Sequence, residues 1–143
     1  MAAILFVDDE TDLVEVFAEF LRDAGHEVRT ATGGAEALGV LATWTPDVVV
    51  LDLNMPDMPG GVVIDEMSKL GSRVRRLPVV LLSGNASLEQ AASKMGTTYY
   101  ASKPVSLDRF LTVLEGALRD RRAPSRPSEF GVEPQPRSET PRS

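Results

Sequence analysis

The sequence predicts an α/β protein, a doubly wound sheet of five parallel strands with five helices packed on its faces. Three observations carry this expectation. Residues 3–7 (AILFV), 48–51 (VVVL) and 79–82 (VVLL) are continuous apolar runs, the pattern of strands buried on both faces. Segments of helical periodicity separate them. The 143 residues, 43% hydrophobic and 25% charged, suit one core and fall short of two domains of usual size.

The elements follow in order. After the first strand, Leu13, Phe17, Phe20 and Leu21 mark a helix that Gly25 closes. Residues 27–30 form a weaker second strand, and Ala37, Leu38 and Leu41 mark the second helix. The third strand leads through a loop with two prolines to a helix from Gly60 to about Leu70. Beyond the fourth strand, Ser87-Leu-Glu-Gln reads as a capping box for a short helix ending near Met95. Residues 97–100 form a weak fifth strand, and Leu107, Phe110, Leu111, Leu114 and Leu118 mark the last helix. His26 is expected to face solvent, and Trp44 and the methionines to pack.

Ligands of such sheets sit at the carboxyl ends of the strands. There the first strand delivers Asp8-Asp9-Glu10, the third Asp52, the fourth Ser83-Gly84, and the fifth leads to Lys103-Pro104. Three neighbouring carboxylates raise one another's pKa unless a cation joins them. The fitting ion is Mg²⁺, which takes oxygen ligands and works with phosphates. Lys103 adds a point charge and Ser83 a hydroxyl donor, both suited to phosphoryl oxygens. This is a site for a phosphoryl group on Asp52.

Composition narrows the partners. Residues 1–118 carry nine Lys/Arg against 17 Asp/Glu, a balance of −8, so this acidic part is expected to repel nucleic acid and to suit cations or basic surfaces. There is no cysteine, hence no disulfide and no thiolate metal site. Without a signal-like segment or an apolar run of about 18 residues, the expectation is a cytoplasmic protein with no membrane partner. Residues 121–143, rich in proline and serine, are expected to be a disordered tail.

In order, Asp8-Asp9, "DVVVLDLNMPDMPG" at residues 47–60, Ser83-Gly84, Tyr100 and Lys103-Pro104 make the chain resemble the receiver domain of bacterial two-component response regulators, over about residues 2–120. The resemblance implies a flavodoxin-like fold with strand order 2-1-3-4-5. It also implies a phosphoryl group passed to Asp52 from a histidine kinase or histidine phosphotransfer protein. Mg²⁺ would be bound directly by Asp9 and Asp52, through water by Asp8, and by the backbone carbonyl of Asn54, with Lys103 bridging to the phosphoryl oxygens. Ser83 and Tyr100 match the family's coupled switch, and a cis peptide is implied before Pro104. Glu15, Val16 and Glu19 lie where the family reads its kinase. With no effector domain after the receiver at residues 1–120, a stand-alone regulator is expected. Its output would be an unidentified protein partner or a relay of the phosphoryl group.

Two other classes share the fold. A flavodoxin would cradle phosphate in a Ser/Thr/Gly-rich loop after the first strand, where this chain has Asp-Asp-Glu-Thr-Asp. A phosphatase of the haloacid dehalogenase type carries a second aspartate two residues after the first as general acid and base, where this chain has Asn54. A degenerate receiver serving as a scaffold would lack phosphorylation residues, all of which are present. Ser83 stands where threonine is more usual in receivers, and Thr97-Thr98 where a small apolar residue is typical.

Overall fold

The computed structural model describes residues 1–84 and 86–124. Five strands, β1 (Ala3–Val7), β2 (Glu27–Ala31), β3 (Val48–Asp52), β4 (Val79–Ser83) and β5 (Tyr100–Ser102), pair in parallel in the order β2-β1-β3-β4-β5. The predicted architecture and strand order are the ones found. Alternation along the strands divides the core. Ile4, Phe6, Val48, Val50, Val80 and Leu82 face α1 (Thr11–Asp23) and α6 (Leu107–Asp120), whereas Leu5, Val7, Val49, Leu51, Val79 and Leu81 face the opposite side. That second side carries α2 (Gly34–Leu41), α3 (Gly60–Met67), the single turn α4 (Ser72–Arg75) and α5 (Leu88–Met95).

Five local expectations are corrected. The third helix stops at Met67, short of Leu70, and α4 is a sixth helix, one turn long. Ser87 is the N-cap residue of α5, yet its side chain makes no cap hydrogen bond, so the capping box does not form. β5 begins at Tyr100, three residues late, because the Thr97 hydroxyl donates to the Val79 carbonyl at 2.9 Å and takes the place of a backbone donor. His26 is half-buried, its Nδ1 accepting the Ala2 N–H at 3.0 Å.

Below the sheet, Asp47 accepts from the Ala3 N–H at 2.7 Å through one oxygen and pairs with Arg121 at 3.1 Å through the other. This ties the end of α6 to the starts of β1 and β3. No helix among the described residues is long and apolar enough to cross a membrane. The predicted tail lies outside the described residues apart from 121–124.

Candidate functional site

A parallel sheet brings every strand's carboxyl end to one edge. Val7 pairs with Leu51, so Asp8 and Asp52 stand side by side on β1 and β3, where the strand order reverses direction. Ser83 and Ser102 are register partners on β4 and β5, and the Lys103 N–H donates to the Ser83 carbonyl at 2.9 Å. This contact sets the lysine at the same edge. The Lys103-Pro104 peptide is cis, as the resemblance implies.

The loop from Leu53 to Pro59 folds back on the strand. Gly60 marks the close approach, since a Cβ there would lie 2.6 Å from Leu53 Cδ2. On its outer side, Asp57 accepts the Gly34 and Ala35 N–H groups, each at 3.1 Å, and so caps α2 from outside the helix. Those hydrogen bonds, the Ala35 bond foremost, hold its carboxyl below the usual range. On the inner side, the Asn54 N–H donates to Asp52 Oδ1 at 3.2 Å, and the Asn54 amide donates to Ser83 Oγ at 2.9 Å.

Asp8 is fully buried and Asp52 is 3% exposed, while Asp9 is open to solvent. An oxygen from each converges within 4.8 Å of the other two. Glu10, the N-cap residue of α1, makes no side-chain cap hydrogen bond. Asp8 Oδ1 accepts the Glu10 N–H at 2.9 Å, whereas Oδ2 is a buried oxygen with no hydrogen bond of good geometry. Its nearest charge is the Lys103 ammonium at 2.9 Å, which lies 3.4 Å from Asp52 Oδ2 and also pairs with Glu10 Oε1.

Burial pushes the Asp8 carboxyl up. The Glu10 N–H and Lys103 oppose that shift, and the Asp52 charge adds to it. Burial works against the Lys103 charge, but the Glu10 and Asp8 carboxylates beside it outweigh that and hold the ammonium above its ordinary value. A hard, oxygen-seeking divalent cation fits this donor set: converging carboxylates, one of them with a buried oxygen short of a partner, and an open side at Asp9 where water can complete the shell.

The structure therefore unites Asp8, Asp9, Asp52 and Lys103, and it joins Asn54 to Ser83. Tyr100 stands apart on β5, half-buried and paired with Leu81, with its ring against the α5 side of the core. Glu10 and Asp57 are the residues to which sequence reasoning assigns no part. The unbroken run Asp8-Asp9-Glu10 was the signal for the first. Trp44, packed under Arg29 at 4.3 Å, lies before β3 begins, at the end of that strand away from Asp52.

Residues 4–115 match the family model of the response regulator receiver domain. The probable transcriptional regulatory protein TcrX of Mycobacterium tuberculosis is 37% identical over 118 residues, 81% of this chain and 49% of that protein. KdpE of the same species is 37% identical over 121 residues, 83% of this chain and 52% of that protein, so the chain spans about half the length of these relatives. Among solved structures, the chemotaxis response regulator CheY4 of Vibrio cholerae matches with a TM-score of 0.75 and 32% identity, covering 82% of this chain and 99% of that one. NtrX of Brucella abortus matches with a TM-score of 0.74 and 36% identity, covering 84% of this chain and 27% of that one.

Proposed function

Because the chain belongs to the response regulator receiver domain family, we propose that Asp52 accepts a phosphoryl group from a histidine kinase or histidine phosphotransfer protein in the cytoplasm and that the modified domain signals through its protein-binding surface. The observation that carries this reading is the convergence of three carboxylates within 4.8 Å under an ammonium. In the step itself, an Asp52 carboxylate oxygen attacks phosphorus while the bond to the donor's imidazole nitrogen breaks, and the imidazole retains that electron pair. Asp9 and Asp52 directly, Asp8 through water, and the Asn54 backbone carbonyl would hold Mg²⁺. When bound, Mg²⁺ offsets charge in a loose phosphoryl-transfer transition state.

Lys103 holds the phosphoryl oxygens, and the Ser83 hydroxyl donates to one of them. That inward pull makes room for Tyr100 to turn, changing the face formed by α5, β5 and α6. Such a device needs only two states a few kcal/mol apart. Docking of the donor along α1 is supported by Val16, 63% exposed, with Phe20 a turn away and Glu15 and Glu19 beside them in solvent. Asn54 lacks the carboxylate that would activate water, so the acyl phosphate persists as a signal.

The test is incubation with acetyl phosphate and Mg²⁺, read by intact-mass spectrometry. Wild type is expected to gain one phosphoryl group, and chelation of the metal or Asp52→Asn to abolish the gain. Undiminished labelling of Asp52→Asn would place the acceptor elsewhere.

A further inference from the structure

Lys103 is engaged three times over. Its ammonium lies 2.9 Å from Asp8 Oδ2 and 3.4 Å from Asp52 Oδ2, and closest of all is Glu10 Oε1. Glu10 and Asp52 accept hydrogen bonds from it, and Asp8, whose Oδ2 takes none of good geometry, adds its charge. Two of the three have further parts in the proposed chemistry. Glu10 has none. Its carboxylate lies outside the converging trio, and it occupies the N-cap position of α1 without capping it. Its side chain is 59% exposed, against 0% for Asp8.

We propose that Glu10 is a positioning residue that holds the Lys103 ammonium until a phosphoryl group arrives, and that it competes with that group for the ammonium and so sets how tightly the modified state is held. This rests on Asp52 as the acceptor. A phosphoryl group on Asp52 draws on the same ammonium, and the Glu10 and Asp8 carboxylates compete with it for that charge. Asp8 is buried beside the ammonium and cannot swing away into bulk solvent. Glu10 turns into solvent at little cost, as exposed ion pairs are weak. Removing the Glu10 carboxylate therefore frees a donor for the phosphoryl oxygens and lowers the repulsion they meet.

The second effect is plain charge, so the test needs a charge-matched control. Asp12, exposed in the first turn of α1, has no ion pair with Lys103 and provides one. Beryllofluoride binding to the full chain is measured by calorimetry at saturating Mg²⁺ for wild type, Glu10→Gln, Glu10→Ala, Asp12→Asn and Asp52→Asn. Both Glu10 variants are expected to bind about fivefold more tightly than wild type, the scale of one exposed ion pair. Asp12→Asn should change by less than about twofold, as expected for a charge screened by solvent. Unchanged or weaker binding in the Glu10 variants would overturn the proposal, as would an equal gain in Asp12→Asn. Binding that is absent from wild type, or undiminished in Asp52→Asn, would instead remove the acceptor assignment, and this proposal with it.

Discussion

Asp47 shows what a single carboxylate does away from the site. The Ala3 N–H, and after it Arg121, hold its carboxyl below the usual range despite partial burial. A carboxylate so lowered stabilises the fold above its unfolded pKa, near ~4. That stabilisation is lost as pH falls through the lower folded value. Asp47→Asn is expected to cost about 1 kcal/mol at neutral pH, a figure already reduced for solvent screening. In melts across pH, the gap between wild type and variant should close below about pH 4, where the wild-type carboxyl protonates too. A gap that stays constant would mean that the charge contributes nothing. At the site, the same chemistry runs the other way. Burial raises Asp8, and the cost of keeping it charged is offset by Lys103 now and by a cation when one binds.

At the scale of elements, the apolar runs were legible because strands buried on both faces need no alternation, and β1, β3 and β4 lie where AILFV, VVVL and VVLL put them. The carboxyl-edge rule places Asp8, Asp52, Ser83 and Lys103 from the sequence alone, and the four meet at that edge. Legibility failed where a side chain displaced a backbone bond, as Thr97 does ahead of β5, and where a contact joined distant segments, as Asp57 does at the start of α2. Neither leaves a periodic trace. Helix packing was clearer, for the apolar stripe of the last helix brings Phe110 onto Phe6 at 5.6 Å and Phe17 at 4.9 Å. These rings link α6, β1 and α1. Phe110→Ala is expected to cost about 3–5 kcal/mol by urea unfolding, and a loss under about 1 kcal/mol would show that this cluster is not the keystone of its face.

Seen whole, the molecule is electrically polar. Asp8, Asp9, Glu10, Asp52 and Asp57 gather at the carboxyl edge of the sheet, while Arg73, Arg75 and Arg76 lie before β4 and Arg119, Arg121 and Arg122 at the end of α6. Such a field draws cations and basic surfaces to the acidic end. Between the poles, an event at Asp52 is expected to reach β5 through Ser83. The most direct test is the amide NMR spectrum of the full chain with Mg²⁺, before and after beryllofluoride, for wild type, Asp52→Asn and Ser83→Ala. Wild-type signals are expected to shift around Asp52 and along Tyr100–Ser102. Asp52→Asn should not respond at all, and Ser83→Ala should keep the first set of shifts and lose the second. A wild-type response confined to the Asp52 loop, or one that Asp52→Asn reproduces, would contradict this coupling.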